Sequence, residues 1–546
     1  MTLVRTINAA WMLSCQGALR AFHRASDDVA AAQRRLLCHI LRRNADSEFG
    51  RRYRFNGIHD TAEFQRRVPP CDYDDLAAAI DRIAAGAPNV LTAERVLLLQ
   101  PTSGSTSGRK LIPYTATLKT QYQRCVSAWV GDLFRRRPNV RRGRAYWSIS
   151  PALDGPRATA GGVPIGFDDD AAYLGTWRQR IVRRLLVVPA DAAGLRDVDA
   201  FRRATLSALL AADDLSLVSV WSPTFLLALI DALPQHAERL ADELGDALSA
   251  RRAGIVRRIA RDGVAAPDDI AALWPQLALV SCWTGAASAS HARRLHERLP
   301  HVEMQPKGLM ATEACISFPL VGAEGCPLAI CSTFLEFQPF DASGGPGGAG
   351  PCLLAHQLDP GGRYAVVLTT GGGLYRYRLG DIVEVVGRLR QCPLVQFVGR
   401  TGCASDLVGE KLTDPFVQRV VGAALSRQGV RPRFVLLVPA DETRRGYRLF
   451  LQLDPGAAVD QRQLARDVED GLRDNPHYEY AVRLGQLAPV RVAVLDACGE
   501  SAFRAVERRA VAAGQKLGDI KPAWLASGDD WAATFAQLIE CEVAAT

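Results

Sequence analysis

The stretch TSGSTSGRKLIP, residues 102–113, places hydroxyl side chains, glycines and two cations in one short loop after the apolar run VLLLQ. Glycine permits backbone conformations with positive φ, so successive backbone N–H groups can point at one anion. Hydroxyl donors and a lysine ammonium add to that attraction. The stretch therefore predicts a phosphate-binding loop that suits a triphosphate. The candidate residues are Ser103, Gly104, Ser105, Thr106, Gly108 and Lys110.

Two other loop motifs do not match this stretch. A Walker A loop needs four residues between its glycines and then Lys followed by Ser or Thr. Here three residues separate Gly104 from Gly108, and Leu111 follows Lys110. A serine-hydrolase elbow needs a serine midway between its glycines, whereas the midpoint here is Thr106. Taken alone, the stretch also fits a plain Ser/Gly-rich surface loop.

A second segment, LYRYRLGDIVEVVG at residues 374–387, has an alternating polar strand that meets Gly380 and Asp381 and continues as an apolar strand. We expect Asp381 to lie at a turn between strands. A carboxylate there can accept hydrogen bonds from the vicinal hydroxyls of a ribose. In isolation, the segment also fits a simple hairpin with an acidic turn.

A third segment, QPKGLMATEACISFPL at residues 305–320, carries Thr312 and Glu313 at the end of a short apolar run and close to Gly308. The threonine can offer a hydroxyl to a phosphate. The glutamate can offer a hard oxygen ligand to Mg²⁺. The pair therefore predicts a place where phosphate and magnesium meet, although it is a weak signal alone.

Two further segments carry cations on loops. FVGRTGCASDLVGEKLTDPF, residues 397–416, places Arg400 and Lys411 around a glycine-containing stretch that we interpret as a hinge before a helix. GQKLGDIKP, residues 514–522, carries Lys521 on a loop that follows a helical segment. Surface lysines near a C-terminus are usually just solvated, so neither segment decides the function alone.

In this order and spacing, the five segments resemble the adenylate-forming ligase superfamily and, more closely, its Gretchen Hagen branch, the auxin-responsive acyl acid amido synthetases and their bacterial relatives. The resemblance covers nearly the whole chain, because it includes SEFGRRYRFNGI, VPPCDYDDL, VSVWSPTFLLALI, LWPQLALVSCWTGAA and STFLEFQPF. It implies an ATP-dependent, AMP-forming reaction that activates a carboxylic acid as an acyl adenylate and passes it to an amine, usually an amino acid. Two alternatives stay open: transfer to a thiol, as in acyl-CoA or carrier-protein ligases, and a catalytically silent nucleotide-binding scaffold.

The resemblance also implies roles for individual residues. Glu313 matches the Mg²⁺-linked glutamate of the family, and Lys521 matches its catalytic C-terminal lysine. Met310 and Ala311 stand where relatives often carry an aromatic residue, so the residue that stacks on adenine is not identified. The other positions that match the nucleotide site are Thr312, Asp381 as the ribose ligand, Arg400 and Lys411.

Length and patterning predict more than one domain, because 546 residues with 48% hydrophobic residues supply ample core. Helical patterns alternate with apolar strands such as RVLLLQ and LSLVSV, which indicates an α/β fold with layered sheets and helices. The resemblance implies a large N-terminal domain of the adenylate-forming ligase type, residues 1–400, for ATP and the acyl acid. The pattern of residues 401–546 predicts a smaller α+β domain, and the resemblance implies that this domain is mobile and carries the catalytic Lys521. Its strands are RFVLLVP, YRLFLQL and VRVAVLD, and its helices start near Asp460 and Ser501.

Composition argues against other classes of partner. The net charge of +8 would suit nucleic acid, yet the arginines are scattered in short groups and no nucleic-acid motif is present. The N-terminal apolar stretch predicts an amphipathic helix that continues toward Leu41, rather than a signal peptide. We expect a cytoplasmic enzyme that acts on a small carboxylic acid and an amino acid and has no nucleic-acid or membrane partner. The oligomeric state is left open.

Cysteine, histidine and aromatic residues give weaker expectations. The thirteen cysteines show no paired CxxC spacing, so no zinc site is predicted, and residues such as Cys315 should be buried thiols of a reducing cytoplasm. His291 and His296 fall on a charged helical stretch and should lie at the surface. Aromatic side chains at such spacing are more often core than substrate contacts. The candidates for an acyl pocket are Tyr122, Trp129, Trp221 and Phe225.

Overall fold

The computed structural model describes most of the chain, and the account below is confined to that part. The described residues are 2–102, 110–147, 158–166, 185–187, 195, 197–340, 351–401, 404–440, 445–496, 501–513, 515, 517–526 and 531–545. Within them, no helix is both long enough and apolar enough to cross a bilayer.

The N-terminal part begins with helices that cover one side of the molecule. The predicted helix toward Leu41 is two helices, because Asp28 caps the second one and accepts a hydrogen bond from the Ala31 N–H at 2.9 Å. The first helix packs along the helix that carries Trp129. The elements of this part are α1 Thr2–Ala25, α2 Val29–Arg43, α3 Glu48–Arg52, α4 Thr61–Arg67, α5 Tyr73–Ala84, β1 Leu98–Pro101, β2 Leu111–Tyr114 and α6 Ala116–Arg136.

A parallel sheet and its helices follow. Its described strands pair in the order β3-β4-β5-β6. The strands β4 and β5 are buried along their whole length, as expected for parallel strands covered on both faces. Their carboxyl ends meet at one edge, where open α/β sheets bind ligands. The elements are β3 Arg144–Trp147, α7 Val198–Ala211, β4 Leu215–Ser219, α8 Pro223–Leu244, α9 Ala250–Asp262, α10 Pro267–Leu273, β5 Leu279–Cys282, α11 Ala289–Arg298 and β6 Glu303–Pro306.

A mainly antiparallel sheet completes this part and shares a core with α1 and α6. Its strands are arranged β7-β12-β11-β10-β8-β9. The longest of them, β11, holds the segment that was expected to contain a turn. The strands are β7 Cys326–Pro327, β8 Phe334–Pro339, β9 Leu353–Leu354, β10 Arg363–Thr369, β11 Tyr377–Leu389 and β12 Cys392–Arg400.

The C-terminal part is built on a second sheet, ordered β15-β16-β17-β18, with helices packed against it. The strands and helices predicted for this part are present, and the mixed α/β fold class is confirmed. The elements are β13 Ala404–Ser405, β14 Leu412–Thr413, α12 Asp414–Arg427, β15 Pro432–Pro439, β16 Gly446–Leu453, α13 Gln461–Leu472, α14 Pro476–Arg483, β17 Ala488–Leu495, α15 Ala502–Ala512, α16 Trp531–Phe535 and β18 Ile539–Ala544.

Candidate functional site

The β1 and β2 strands form the base of the predicted phosphate loop. They pair antiparallel, and the Thr102 N–H donates to the Lys110 carbonyl at 2.9 Å just beyond the pairing. The Lys110 Nζ lies 5.5 Å from the centre of the Tyr73 ring. The Thr102 Oγ1 is buried and has no hydrogen-bond partner within the described part of the chain. The predicted residues Ser103, Gly104, Ser105, Thr106 and Gly108 lie outside the described residues.

Aromatic hydroxyls hold the segment that carries Thr312 and Glu313. The Tyr114 hydroxyl donates to the Thr312 carbonyl at 2.5 Å, and the Tyr122 hydroxyl donates to the Ala311 carbonyl. The two tyrosine rings stack with centres 6.0 Å apart. Because these bonds reach the backbone, they fix the Thr–Glu pair while leaving its side chains available. Tyr122, an expected acyl-pocket residue, thus positions this segment.

Glu313 is a buried carboxyl group on which several charges of the candidate site act. Burial raises the pKa of its carboxyl group above the ordinary value, and the negative charge of Asp381 raises it further. A backbone hydrogen bond and the positive charges of Arg400 and Lys521 act in the opposite direction. The charges of three residues from distant points of the chain therefore act on the Glu313 carboxyl group.

Asp381 lies inside strand β11 rather than at a turn between two strands, so the expected turn is wrong. The pairing of β10 with β11 shifts register across this stretch, and Gly380 adopts a φ of +82° there. The Arg400 Nε donates to the Asp381 Oδ1 at 2.7 Å. The Asp381 side chain is buried, and its Oδ2 has no partner among the residues described. One carboxylate oxygen is thus left to accept a ligand hydroxyl.

Lys521 is delivered by a segment that the C-terminal part holds in place. The Asp414 Oδ1 accepts hydrogen bonds from the Trp524 N–H at 2.6 Å and the Leu525 N–H at 2.9 Å. The exposed Lys521 side chain places its Nζ 5.5 Å from the centre of the Trp283 ring. This ring follows β5, so the lysine reaches across to the N-terminal part.

The predicted residue Lys411 is placed differently. Its side chain is exposed, and its backbone has a φ of +47° immediately before β14. The neighbouring Glu410 is buried and accepts hydrogen bonds from the Leu407 and Val408 N–H groups at 2.7 and 2.8 Å. Among the described contacts, none joins Lys411 to Glu313, so this structure does not bring the two together.

Sequence reasoning missed Lys307, which follows strand β6 and is buried. Its Nζ lies 5.3 Å from the Trp129 ring centre and 4.9 Å from that of Trp221. The signal was available, because the lysine stands in the quoted segment and both tryptophans were acyl-pocket candidates. The fourth candidate, Phe225, belongs to the core around α8.

Two weaker expectations are wrong. His291 is not at the surface: it is buried against the Phe503 ring, with ring centres 5.7 Å apart, and burial lowers its pKa to about 4. His296 is exposed as expected. Cys315 is not a free thiol, because a disulfide joins it to Cys125. That bond connects helix α6 to the segment after Glu313.

Comparisons with known proteins agree with this architecture. Three family models match: the GH3 family N-terminal domain at residues 18–304, the central domain at 326–400 and the C-terminal domain at 416–529. The indole-3-acetic acid-amido synthetase GH3.8 of Oryza sativa subsp. indica is 25% identical, over 78% of this chain and 76% of the relative. The indole-3-acetic acid-amido synthetase GH3.4 of Arabidopsis thaliana is 23% identical, over 73% of this chain and 72% of the relative.

Solved structures show the same fold. The acyl acid amido synthetase AtGH3.15, in complex with 2,4-DB, superposes with a TM-score of 0.84 at 19% identity and covers 97% of both chains. A second structure of the GH3.15 enzyme gives a TM-score of 0.80, over 96% of this chain and 97% of that one. Since the family models together match most of the sequence, this chain belongs to the GH3 family.

Proposed function

We propose that this chain is an ATP-dependent, AMP-forming ligase that adenylates a carboxylic acid and transfers the acyl group to an amine, in the favoured case an amino acid. The enzyme class predicted from the sequence, an amido synthetase that forms a carbon–nitrogen bond, is confirmed by its family, whose relatives named above are amido synthetases. Beyond this enzyme class, the proposal covers which carboxylic acid is activated and which amine accepts the acyl group.

The observation that carries the proposal is the convergence on Glu313. Asp381, Arg400 and Lys521 come from β11, the end of β12 and the C-terminal part, yet the charges of all three act on the Glu313 carboxyl group. A structural ion pair needs only two such groups. Two buried carboxylates with two cations acting on them fit a site that handles a polyanionic nucleotide.

The chemistry requires fixed charge rather than a protein nucleophile. In the first step, a carboxylate oxygen attacks the α-phosphorus of ATP, and pyrophosphate leaves. Two anions approach each other, so the transition state is stabilised by cations and oriented donors. Lys521 supplies one such cation, and Lys110 at the phosphate loop supplies another. In the second step, an uncharged amine attacks the acyl carbon and AMP leaves, which needs mainly positioning.

The residues present fit a ribose and a magnesium ion. The Asp381 Oδ2 is a buried acceptor without a partner among the residues described, which suits a ribose hydroxyl. Glu313 is a buried carboxylate whose raised pKa an added cation would lower. The described residues contain no cluster of three or more His, Cys, Asp or Glu side chains that could hold a metal ion, so phosphate oxygens and water would complete the coordination. Mg²⁺ would supply positive charge to the phosphate oxygens.

We divide these roles between an N-terminal domain of residues 1–400 and a mobile C-terminal domain of residues 401–546. Lys521 belongs to the second, so domain rotation would withdraw it once the acyl adenylate has formed. Arg400 and Lys411 flank the hinge. The exposed position of Lys411 fits a residue that reaches the nucleotide only after such a rotation. We place the reaction in the cytoplasm, where ATP is available.

The first test is acid-dependent ATP–pyrophosphate exchange, measured across indole, aryl, jasmonate-like and fatty acids with wild type and Lys521→Ala. We expect exchange with one class of acid in the wild type. We expect the exchange rate to fall roughly 100-fold or more in the variant, because a cation that faces the transition state is lost. Lys119→Ala is the matched control, since Lys119 lies on helix α6 and is not among the residues assigned to the site.

The outcomes separate the alternatives. Exchange that survives in Lys521→Ala would contradict the role of this lysine. Exchange with no acid, despite measurable ATP binding, would favour the silent scaffold. Wild-type enzyme that consumes the adenylate with coenzyme A but not with amino acids would favour the thiol alternative.

A further inference from the structure

A polar row crosses the parallel sheet at its carboxyl edge. Trp147, Ser219, Ser281 and Gln305 are register partners on β3, β4, β5 and β6. Register partners of parallel strands place their side chains on the same face. This row lies at the edge where α/β sheets bind ligands.

Two donors of this row have spare hydrogen-bonding capacity. The Ser281 Oγ and the Trp147 Nε1 are buried and have no partner in the part of the chain that the structure describes. A buried polar group without a partner costs free energy, so such groups commonly await a ligand or water. Gln305 is engaged, because its Oε1 accepts a hydrogen bond from the Trp129 Nε1 at 2.9 Å.

Lys307 places a positive charge beside this row. Its Nζ donates to the Ser219 Oγ and lies against the Trp129 and Trp221 rings. Its charge also lowers the pKa of the Cys282 thiol at the end of β5, which burial raises to about 12. Only six of the 66 lysine and arginine residues are lysines. Lys307 is one of these few, and it is buried.

The position of this ammonium relates it to the reaction centre. The Trp221 ring lies 6.1 Å from the Trp283 ring, and Trp283 in turn contacts Lys521. Lys307 and Lys521 are therefore separated by two indole rings. The same segment continues from Lys307 to Glu313. A ligand held by Lys307 would lie beside the proposed site of adenylation.

We propose that Lys307 is a binding residue for a substrate carboxylate, which would lie between the tryptophan rings and accept further hydrogen bonds from the polar row. This inference rests on the proposed function, since both non-nucleotide substrates carry a carboxylate. The indole walls favour an organic acid over a phosphate, which has its own loop. The carboxylate belongs either to the acid that is activated or to the amino acid that accepts it.

Lys307→Met tests the proposal, because methionine fills similar volume without charge. Calorimetric titration with indole-3-acetate and benzoate, in the absence of ATP, measures recognition of the acid without turnover. If the acid is the ligand, we expect binding to weaken roughly 10- to 100-fold in Lys307→Met. Indole-3-acetamide and benzamide should bind wild type and variant alike. Lys119→Met removes a lysine on helix α6 that is not assigned to the site, and this variant should behave as wild type.

A second arm tests the acceptor. Amide formation is measured with each amino acid and with its amide, which keeps the amine and lacks the carboxylate. If the acceptor is the ligand, wild type should prefer the amino acid by roughly 10-fold or more in kcat/KM, and Lys307→Met should lose this preference. Acid binding should then be unchanged.

The proposal is overturned if Lys307→Met changes thermal stability alone, with carboxylate binding and acceptor preference as in wild type. It is overturned as well if the wild type neither binds the probe acids through their carboxylate nor prefers amino acids over their amides. The titrations with acids and amides need no turnover. An inactive wild-type enzyme would therefore contradict the proposed function, while the titrations would still decide whether Lys307 binds the carboxylate of the acid.

Discussion

Gly308 meets two requirements that other residues cannot meet together. Its φ of +74° lies in the left-handed region, which costs an L-residue with a side chain free energy. A Cβ atom at this position would also lie 2.6 Å from the Ser317 carbonyl oxygen and 2.8 Å from the Phe318 Cα. Both neighbours are backbone atoms, which cannot rotate away. This glycine therefore lets the chain turn back between Lys307 and Glu313.

Gly308→Ala should lower the free energy of unfolding of the N-terminal part by about 2 kcal/mol or more, from the left-handed strain and the backbone clash. It should also reduce exchange activity, because the segment of Glu313 would shift. Differential scanning calorimetry and the exchange assay measure both effects. Gly254→Ala is the control: this glycine lies within α9, and a Cβ added to it would meet no atom within 4 Å, so alanine should be neutral or stabilising. Equal melting temperatures for both variants would contradict the prediction.

At this scale, sequence reasoning identified residues by chemistry and failed where burial decides. Glu313, Asp381, Arg400 and Lys521 are candidates because their segments resemble the motifs of the family. His291 was misjudged, because it is buried by Phe503, which lies far along the chain on α15. No local sequence pattern predicts a contact between residues so far apart in the chain. The bond between Cys125 and Cys315 was missed for the same reason.

Strands can be predicted where a short apolar run is bounded by polar residues, as in the runs that form β15, β16 and β17. Their pairing cannot, because register and strand order depend on contacts between distant segments. The segment around Asp381 shows the limit: Gly380 indicated a turn, yet the chain continues as one strand with a shifted register. The sequence thus names candidate residues, while their burial and pairing depend on the fold.

The start of helix α12 positions the segment that carries Lys521. The Asp414 carboxylate accepts two backbone hydrogen bonds from residues Trp524 and Leu525. Burial raises the pKa of Asp414, and these hydrogen bonds lower it. A short segment without regular structure is thereby attached to a helix, so the segment that carries Lys521 is held to the C-terminal part.

Asp414→Ala should reduce the exchange rate roughly 10-fold or more, because small displacements of a reacting group are costly, while the KM for ATP stays within about two-fold. Asp414→Asn should retain most activity, since its amide oxygen can still accept both hydrogen bonds. Steady-state exchange kinetics provide the measurement. An asparagine variant as impaired as the alanine variant would show that the negative charge, rather than the attachment, is what matters.

On the scale of the whole molecule, the N- and C-terminal parts are joined by a buried ion pair. The Arg202 Nη2 of α7 donates to the Glu507 carboxylate of α15 at 2.9 Å, and both side chains are buried. Burial raises the pKa of Glu507 to about 7, although Arg202 and Arg504 lower it. In the unfolded chain a glutamate has its ordinary lower pKa. Between about pH 4.5 and pH 7, the folded protein therefore holds a proton on Glu507 that the unfolded chain releases.

Glu507 should make stability fall as the pH rises from about 4.5 to about 7, by a contribution on the order of 3 kcal/mol, with no further change above that window. Glu507→Gln removes this contribution. Its melting temperature relative to wild type should therefore rise between pH 5 and pH 7.5, which thermal denaturation across that range measures. Glu243→Gln, at an exposed pair on α8, should show no such trend. A constant difference at every pH would contradict the assignment.

The attachment of the Lys521 segment has one more consequence. Strand β15 is an edge strand of its sheet. The segment after Lys521 pairs with this edge: the Leu437 N–H donates to the Trp524 carbonyl at 2.8 Å, and the Ala526 N–H donates to the Leu437 carbonyl at 3.0 Å. An open strand margin is a template for aggregation. The segment that carries Lys521 therefore also covers this strand edge, so changes that loosen it should lower solubility as well as rate.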